Sequence, residues 1–582
     1  MKKPLSRCIA LICAIILMIG ITATALADEA PPEGVPVMEI KGNTFKIAAA
    51  EDFAMGTFEK AEVIDSAGGG VRLLAGEKEG EFTSCVYEVA PFEYLVASWN
   101  AYTPPGTYVE LKARAYVDMY DEWTQWVSWG EWGAFHKRAS TNDRGERAMI
   151  DTDIFTVLGN AGETASLVQL KAVLHSEDVA VSPIVYQIAA TYKNTLPDQQ
   201  ITPIYLEETV ELPEAVMLDT PAYSQMTREG SIANVMCSAV TICTMLNDRG
   251  EDLLPEEVAS LAYDYYYEGF GNWPYSVAAA AAYGYEAYVQ YADFDILRQE
   301  LARGYSVGIS VSYSSTNTGS YNYLENGAAN NTPGHLITIT GYETVDGVDY
   351  FFSSDSAATG DANCVRRYRA DQLDKAWASR TAYIVHDKIL GREISSTKRI
   401  AGELRYVEDG QNEYALYVDG IRVELPVTYL TRKFKELYGG ITACIIEGDP
   451  LEPVPEPARR TTANNVFKYS IPVTNGGNLR IDPDKLFINV PEGESKNVVV
   501  YLMGNDGTTY VASVSIAKGI PPQPEPTPEE SAGTEQPAGN EPGEIATAPP
   551  DTTTIIIIAV AAVAVIGVVG IVVAVGTKRR KG

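Results

Sequence analysis

A thiol, an imidazole and a carboxylate held together can carry out nucleophilic acyl chemistry, and this chain offers few imidazoles. Its histidines are His136, His175, His335 and His386. Cys237 lies in Asn234-Val-Met-Cys-Ser-Ala-Val-Thr-Ile-Cys-Thr-Met-Leu-Asn247, a run apolar on most sides, as a buried helix would be. It falls at the N-terminal end of that run, where free N–H groups and the helix dipole favour a thiolate. Cys243, six residues on, points about 240° away round a helix and reads as a core thiol. His335 stands in Pro333-Gly-His-Leu-Ile-Thr-Ile-Thr-Gly-Tyr342. The Pro-Gly pair predicts it at the first residue of a buried strand, a rigid place for proton transfer. Asp355 closes the next strand, in Tyr350-Phe-Phe-Ser-Ser-Asp-Ser-Ala357. Two strands ending together would set its carboxylate against His335, fixing the tautomer and stabilising the imidazolium. Gln225 precedes Cys237 by twelve residues, and its amide with the Cys237 N–H would form an oxyanion hole.

These residues need a scaffold, and residues 215–388 supply one of α+β type. Helical runs are expected at Cys237–Asn247, Leu254–Tyr267, Pro274–Tyr283 and Asp293–Arg303. Strands are expected at Ser306–Tyr313, His335–Glu343, Asp349–Ser354 and Thr381–His386. Ahead of them, residues 37–212 alternate with period two between turn residues, which predicts a β-sandwich. Five tryptophans fall there: Trp99, Trp123, Trp126, Trp129 and Trp132. They are either a sugar-binding platform or strand packing. Residues 392–447 and 460–518 read as small β modules, or as one body with an exposed insertion.

The stretch 218–388 resembles the bacteriocin-leader-processing cysteine peptidases, family 39 of that class, in a secreted or membrane-anchored branch. The likeness rests on Tyr223-Ser-Gln225, on Cys237-Ser238, and on Glu268-Gly-Phe-Gly-Asn-Trp-Pro274 before an Ala-rich helix. It continues through Leu301-Ala-Arg-Gly-Tyr-Ser-Val-Gly308, Gly334-His335-Leu336, the Asp355 strand end, and Arg366-Arg-Tyr368 before Trp377. The resemblance implies a papain-like fold with nucleophile Cys237, base His335, orienting acid Asp355 and oxyanion glutamine Gln225. The family often has Cys-Gly and Asp-Pro where this chain has Cys237-Ser238 and Asp355-Ser356; Asp349 and Asn363 are the reserves for the orienting position. The G-x-x-x-x-G-K-[ST] phosphate loop of an ATP-driven transporter is missing, so leader processing during export is not implied.

The ends point to a compartment. Lys2, Lys3 and Arg7, the apolar run Cys8–Ile21 and Ala25-Leu26-Ala27 predict a signal peptide over 1–27. Residues 521–552 are rich in Pro and Glu, a disordered stalk. Residues 555–575 are all Ile, Val, Ala or Gly, enough for one transmembrane helix, and the basic tail 576–582 orients it with the C-terminus in the cytoplasm. Residues 28–554 are then extracellular, on the surface of a Gram-positive bacterium. The net charge is -32. Removing the three bases of the signal peptide and the four of the tail leaves 38 basic residues against 77 acidic. Such a surface excludes nucleic acid as a partner. Five cysteines remain after the signal peptide, Cys85, Cys237, Cys243, Cys364 and Cys444, an odd number and widely scattered, which is not a disulfide framework. No C-x-x-C pair or EF-hand loop occurs, so no metal and no cofactor are expected.

The sequence therefore predicts a cell-surface cysteine peptidase acting on a peptide or protein, cell-wall peptides included. Rivals are an amidase or transpeptidase using the same residues, and an inactive adhesin or glycan-binding protein.

Overall fold

The computed structural model describes residues 34–160, 162–228, 232–396, 398–407, 412–423, 443–445, 477–481, 483, 491–503 and 508–519. The expected signal peptide, stalk, membrane helix and basic tail lie outside the described residues. Among the described residues no helix is long and apolar enough to cross a membrane. The protein is multidomain and strand-rich, with four sheets and a handful of short helices among the described residues.

The alternating sequence up to Lys193 forms two eight-stranded sheets. In the first, Thr107–Val117 alternates buried and half-buried positions, as a strand with one solvated face must. It pairs along most of its length with Ala165–Ser176. In the second sheet, Tyr94–Tyr102 is buried at every position from Leu95 to Ala101. A strand covered on both faces cannot alternate, and its sequence Leu-Val-Ala-Ser-Trp-Asn-Ala shows this. Trp99, Trp129 and Trp132 are buried in the core, so these three are packing residues and not a sugar platform. Trp123 and Trp126 are half-buried and flank the Arg114 guanidinium.

The rest of the site-bearing region is a seven-stranded sheet with helices on it. Helix α1 (Ala50–Ala54) belongs to the first region. Helices α2 (Cys237–Asp248), α3 (Pro255–Ala262), α4 (Trp273–Ala282), α5 (Phe294–Ala302) and α6 (Ala370–Ala376) follow in order. Helix α3 stops at Ala262, short of the Tyr267 that the apolar pattern predicts. The Asp264 carboxylate accepts from the Tyr266 and Tyr267 N–H groups, and Glu268 adopts φ +56°, so the chain turns there. Helix α2 lies close on the strand Val307–Ser314: a Cβ at Gly308 would sit 2.7 Å from Thr241 Cγ2, so only glycine fits. Strands from 392–407 and 412–445 and strands from 477–519 share one further seven-stranded sheet. Within it Lys398–Glu403 runs parallel to Thr508–Ser513.

The first two sheets and the helical region share one buried cluster. Trp99 meets Tyr275 of α4 edge to face at 5.9 Å. The strand Tyr285–Tyr291 pairs on one side with Thr381–Lys388. Its other side is met by side chains: Asn100 on both Ala287 backbone groups, Ser98 Oγ on Val289 N, Thr191 Oγ1 on Tyr291 N and Asn43 Nδ2 on Tyr291 O. Buried Arg138 donates to the carbonyls of Gly133, Ala134, Ser260 and Tyr263. Arg138→Met is expected to strand these acceptors and lower stability by about 3 kcal/mol or more, read as a lower urea midpoint with an unchanged m-value.

Candidate active site

Cys237 is the first residue of α2, and Met236 before it offers no side-chain cap. The free N–H groups of the first turn are therefore available. The Cys237 thiol is half-buried. Burial alone would raise its pKa, but the hydrogen bond and charge of His335, with the N–H groups of Leu336 and Ser238, bring it below the ordinary thiol value.

His335 sits in the strand Asn331–Val345, which begins four residues earlier than the Pro-Gly signal predicts. Residues 331–334 are exposed or half-exposed and burial begins at His335, so the imidazole still stands at the rim of the core. Its Nε2 lies 2.8 Å from Asp355 Oδ1, which leaves Nδ1 to the thiol. Burial opposes the imidazolium. The Asp355 carboxylate, followed by Cys237, outweighs that and raises the His335 pKa to about 10.

Asp355 follows the strand Val348–Ser354, whose Ser354 pairs with Thr338 in the His335 strand. Its carboxylate is fully buried. Oδ1 accepts from the Ala357 N–H at 3.0 Å and faces His335; Oδ2 accepts from Tyr313 and Tyr368 hydroxyls, each at 2.8 Å. Burial would raise its pKa, yet His335 and the two tyrosines hold it well below the carboxylate range. Tyr313 and Tyr368 were not legible as site residues, because a strand tyrosine carries no sign of where its hydroxyl will point. Tyr313→Phe and Tyr368→Phe should each lower stability by about 1.5–3 kcal/mol, the worth of a hydrogen bond to a charged group. Thermal melts check this, and the double variant should lose more than either single one. Of the two reserves for the orienting position, Asp349 pairs with Arg298 at 2.8 Å and Asn363 is exposed; neither is hydrogen-bonded to His335 among the described residues.

Gln225 opens a 3₁₀ turn, Gln225–Thr227, and is buried. Its Nε2 donates to Ala233 O at 2.8 Å, and its Oε1 accepts from Ser356 Oγ at 2.7 Å. Gln225 N donates to Ser356 O at 2.9 Å. Ser356 therefore ties the glutamine segment to the Asp355 loop. Asp361 strengthens the tie by accepting from Ser224 N at 2.7 Å. Ser238, next to the nucleophile, shares its hydroxyl with Ser276 of α4 at 2.7 Å and Tyr383 at 2.9 Å.

A second cluster of titratable groups lies apart from these residues. Glu207, Glu286 and His386 have ligand atoms close enough for a cation. Lys46 already bridges Glu207 and Glu286, at 2.7 and 2.9 Å, and Glu300 takes His386 at 3.0 Å. The group is an ion-pair network with its own cations.

Two family models match the chain. Residues 44–192 match the Peptidase C39 N-terminal domain, and residues 217–385 match the Peptidase_C39 like family. The chain is a relative of the C39-like cysteine peptidases. The second match spans all of the site residues described above in this peptidase relative, from Gln225 to Tyr368. No curated protein matches it. Among solved structures, digestive procathepsin L 3 of Tenebrio molitor larval midgut is similar over 31% of this chain and 73% of that one, at 12% identity and a TM-score of 0.24. TmCBM61 in complex with beta-1,4-galactotriose is similar over 26% of this chain and 99% of that one, at 12% identity and a TM-score of 0.17. At these scores neither likeness bears on fold or ligand.

Proposed function

We propose that this protein is a cell-surface cysteine peptidase that hydrolyses peptide bonds, with a papain-like domain behind a β-sandwich. The observation that carries the reading is the Cys237–His335–Asp355 relay, a thiol held at a helix N-terminus by an imidazole whose other nitrogen is 2.8 Å from a buried carboxylate. In this reading the Cys237 thiolate attacks the peptide carbonyl carbon and forms a tetrahedral oxyanion. The Cys237 N–H and the second Gln225 amide hydrogen stabilise that oxyanion. Collapse breaks the C–N bond as the His335 imidazolium gives its proton to the leaving amine. Water, deprotonated by His335, then cleaves the thioester and restores the thiol.

The test is a peptide electrophile made in a membrane-impermeant form. It is expected to label Cys237 ahead of Cys85, Cys243 and Cys364, which are buried, and to do so on intact cells. Equal labelling of all thiols after unfolding, and none before, would remove the nucleophile assignment. Labelling only after lysis would remove the surface location, which rests on residues 1–27 and 555–575 of the sequence.

A further inference from the structure

We propose that the cavity lined by Lys193, Tyr291 and Arg380 binds a small organic carboxylate, at a site separate from the catalytic residues. Its volume is about 380 Å³, within the range of small-molecule sites. None of its lining residues belongs to the Cys237–His335–Asp355 relay or its oxyanion glutamine.

Distant stretches of the chain build the cavity. Lys193 ends the strand Ile184–Lys193 of the first region. Tyr291 ends the strand Tyr285–Tyr291, just before α5, and Arg380 precedes the strand Thr381–Lys388. The segment 200–203 forms a further wall. That segment is held at Ile204, whose carbonyl accepts from Gln290 Nε2 at 2.8 Å and whose N–H donates to Asn43 Oδ1 at 3.4 Å. Asn43 Nδ2 in turn donates to Tyr291 O at 2.7 Å. The site therefore exists only where the two-sheet region and the helical region meet.

Its polar groups are donors short of an acceptor. The Lys193 ammonium lies 4.4 Å from the centre of the Tyr291 ring and donates to Ser379 O at 2.9 Å. Among the described residues it pairs with no carboxylate. The Tyr291 hydroxyl is buried and has no hydrogen-bond partner among the described residues, a state that buried polar groups rarely keep. Burial holds this phenol far above its usual range, so it stays a donor. Arg380 gives one N–H to Asp374 at 2.6 Å, and a guanidinium has five. Asp293 also lines the cavity, but its Oδ1 caps α5 by accepting from Ile296 N at 3.0 Å.

The charges select the ligand. Arg380 and Asp374 offset each other and Asp293 is spent on its helix, which leaves the single charge of Lys193. A carboxylate matches one charge, whereas a dianionic phosphate would face two acids. Burial, then Arg380, lowers the Lys193 pKa to about 8, a shift that an arriving carboxylate would reverse. Ile201 and Phe294 give the walls apolar surface for the body of the ligand. The net charge of -32 repels anions from the protein as a whole, so the attraction has to come from these side chains.

Calorimetry on the full chain with 3-phenylpropionate, its neutral amide and inorganic phosphate provides the test. The acid should bind about tenfold or more tightly than the amide. Lys193→Met keeps an aliphatic stem over Tyr291 and should weaken the acid about tenfold or more while changing the amide less than twofold. Tyr291→Phe, which removes one oxygen, should weaken the acid about fivefold. Cys237→Ala should bind the acid as the wild type does, so the result stands or falls apart from the peptidase reading. Equal binding of acid and amide, or acid binding that neither Lys193→Met nor Tyr291→Phe alters, would overturn the proposal. Tighter binding of phosphate than of the acid would overturn the carboxylate assignment, and loss of binding in Cys237→Ala would move the ligand to the catalytic residues.

Discussion

Cys237→Ala and His335→Ala are each expected to reduce peptide hydrolysis by at least about 10⁴-fold, with the double variant little worse than either. The thiol and the imidazole act as one unit, because removing either leaves nothing to form or receive the ion pair. The same pair fixes the pH profile. Cys237 titrates below an ordinary thiol and His335 is raised to about 10, so thiolate and imidazolium coexist between those limits. Activity should fall on the acid side as the thiolate takes a proton. It should fall on the alkaline side as His335 loses one near pH 10. Asp355→Asn removes the charge that holds His335 protonated and should bring the alkaline limb down toward neutrality. Steady-state kcat/KM from pH 4 to 11 checks both limbs. An alkaline limb that stays in place in Asp355→Asn would dissociate the acid from the base.

Gln225→Ala should lower kcat by about 10²–10³, or ~3–4 kcal/mol of transition-state stabilisation, with KM little changed. One amide hydrogen is already committed to Ala233 O, so the second is the one available to the oxyanion. Gln225→Glu is the sharper variant. A glutamate can still accept from Ser356 Oγ, as Gln225 Oε1 does, but it has no hydrogen to donate and would repel both Ala233 O and the oxyanion. Its kcat should be no better than that of Gln225→Ala. If Gln225→Ala retains full kcat, the residue only secures the Ser356 loop.

The legible part of the site was the order of residues that local chemistry marks. Cys237 was marked by an apolar helix starting on a thiol, His335 by Pro-Gly before a β-branched run, and Asp355 by a strand that stops. What escaped depends on tertiary placement. Tyr313 and Tyr368 reach Asp355 from separate strands. The departures at Ser238 and Ser356 from the family's usual pattern turn out to be working hydroxyls, one bound to Ser276 and Tyr383, the other to Gln225. The early end of α3 was missed because the apolar spacing continues past Ala262 while the Asp264 carboxylate takes the backbone out of the helix. Periodicity reports which face is apolar, not which side chain competes for the N–H groups.

The side chains of Asn43, Ser98, Asn100 and Thr191 occupy the row of backbone groups along Tyr285–Tyr291 that a neighbouring strand would otherwise fill. An uncovered row of that kind recruits other chains. A protein trimmed to residues 215–388 would leave it bare, next to the apolar surface that Trp99 covers on Tyr275. Such a fragment should associate edge to edge and come out of solution during production. During synthesis the covering strands leave the ribosome first, so the sheet edge has its guard before it exists.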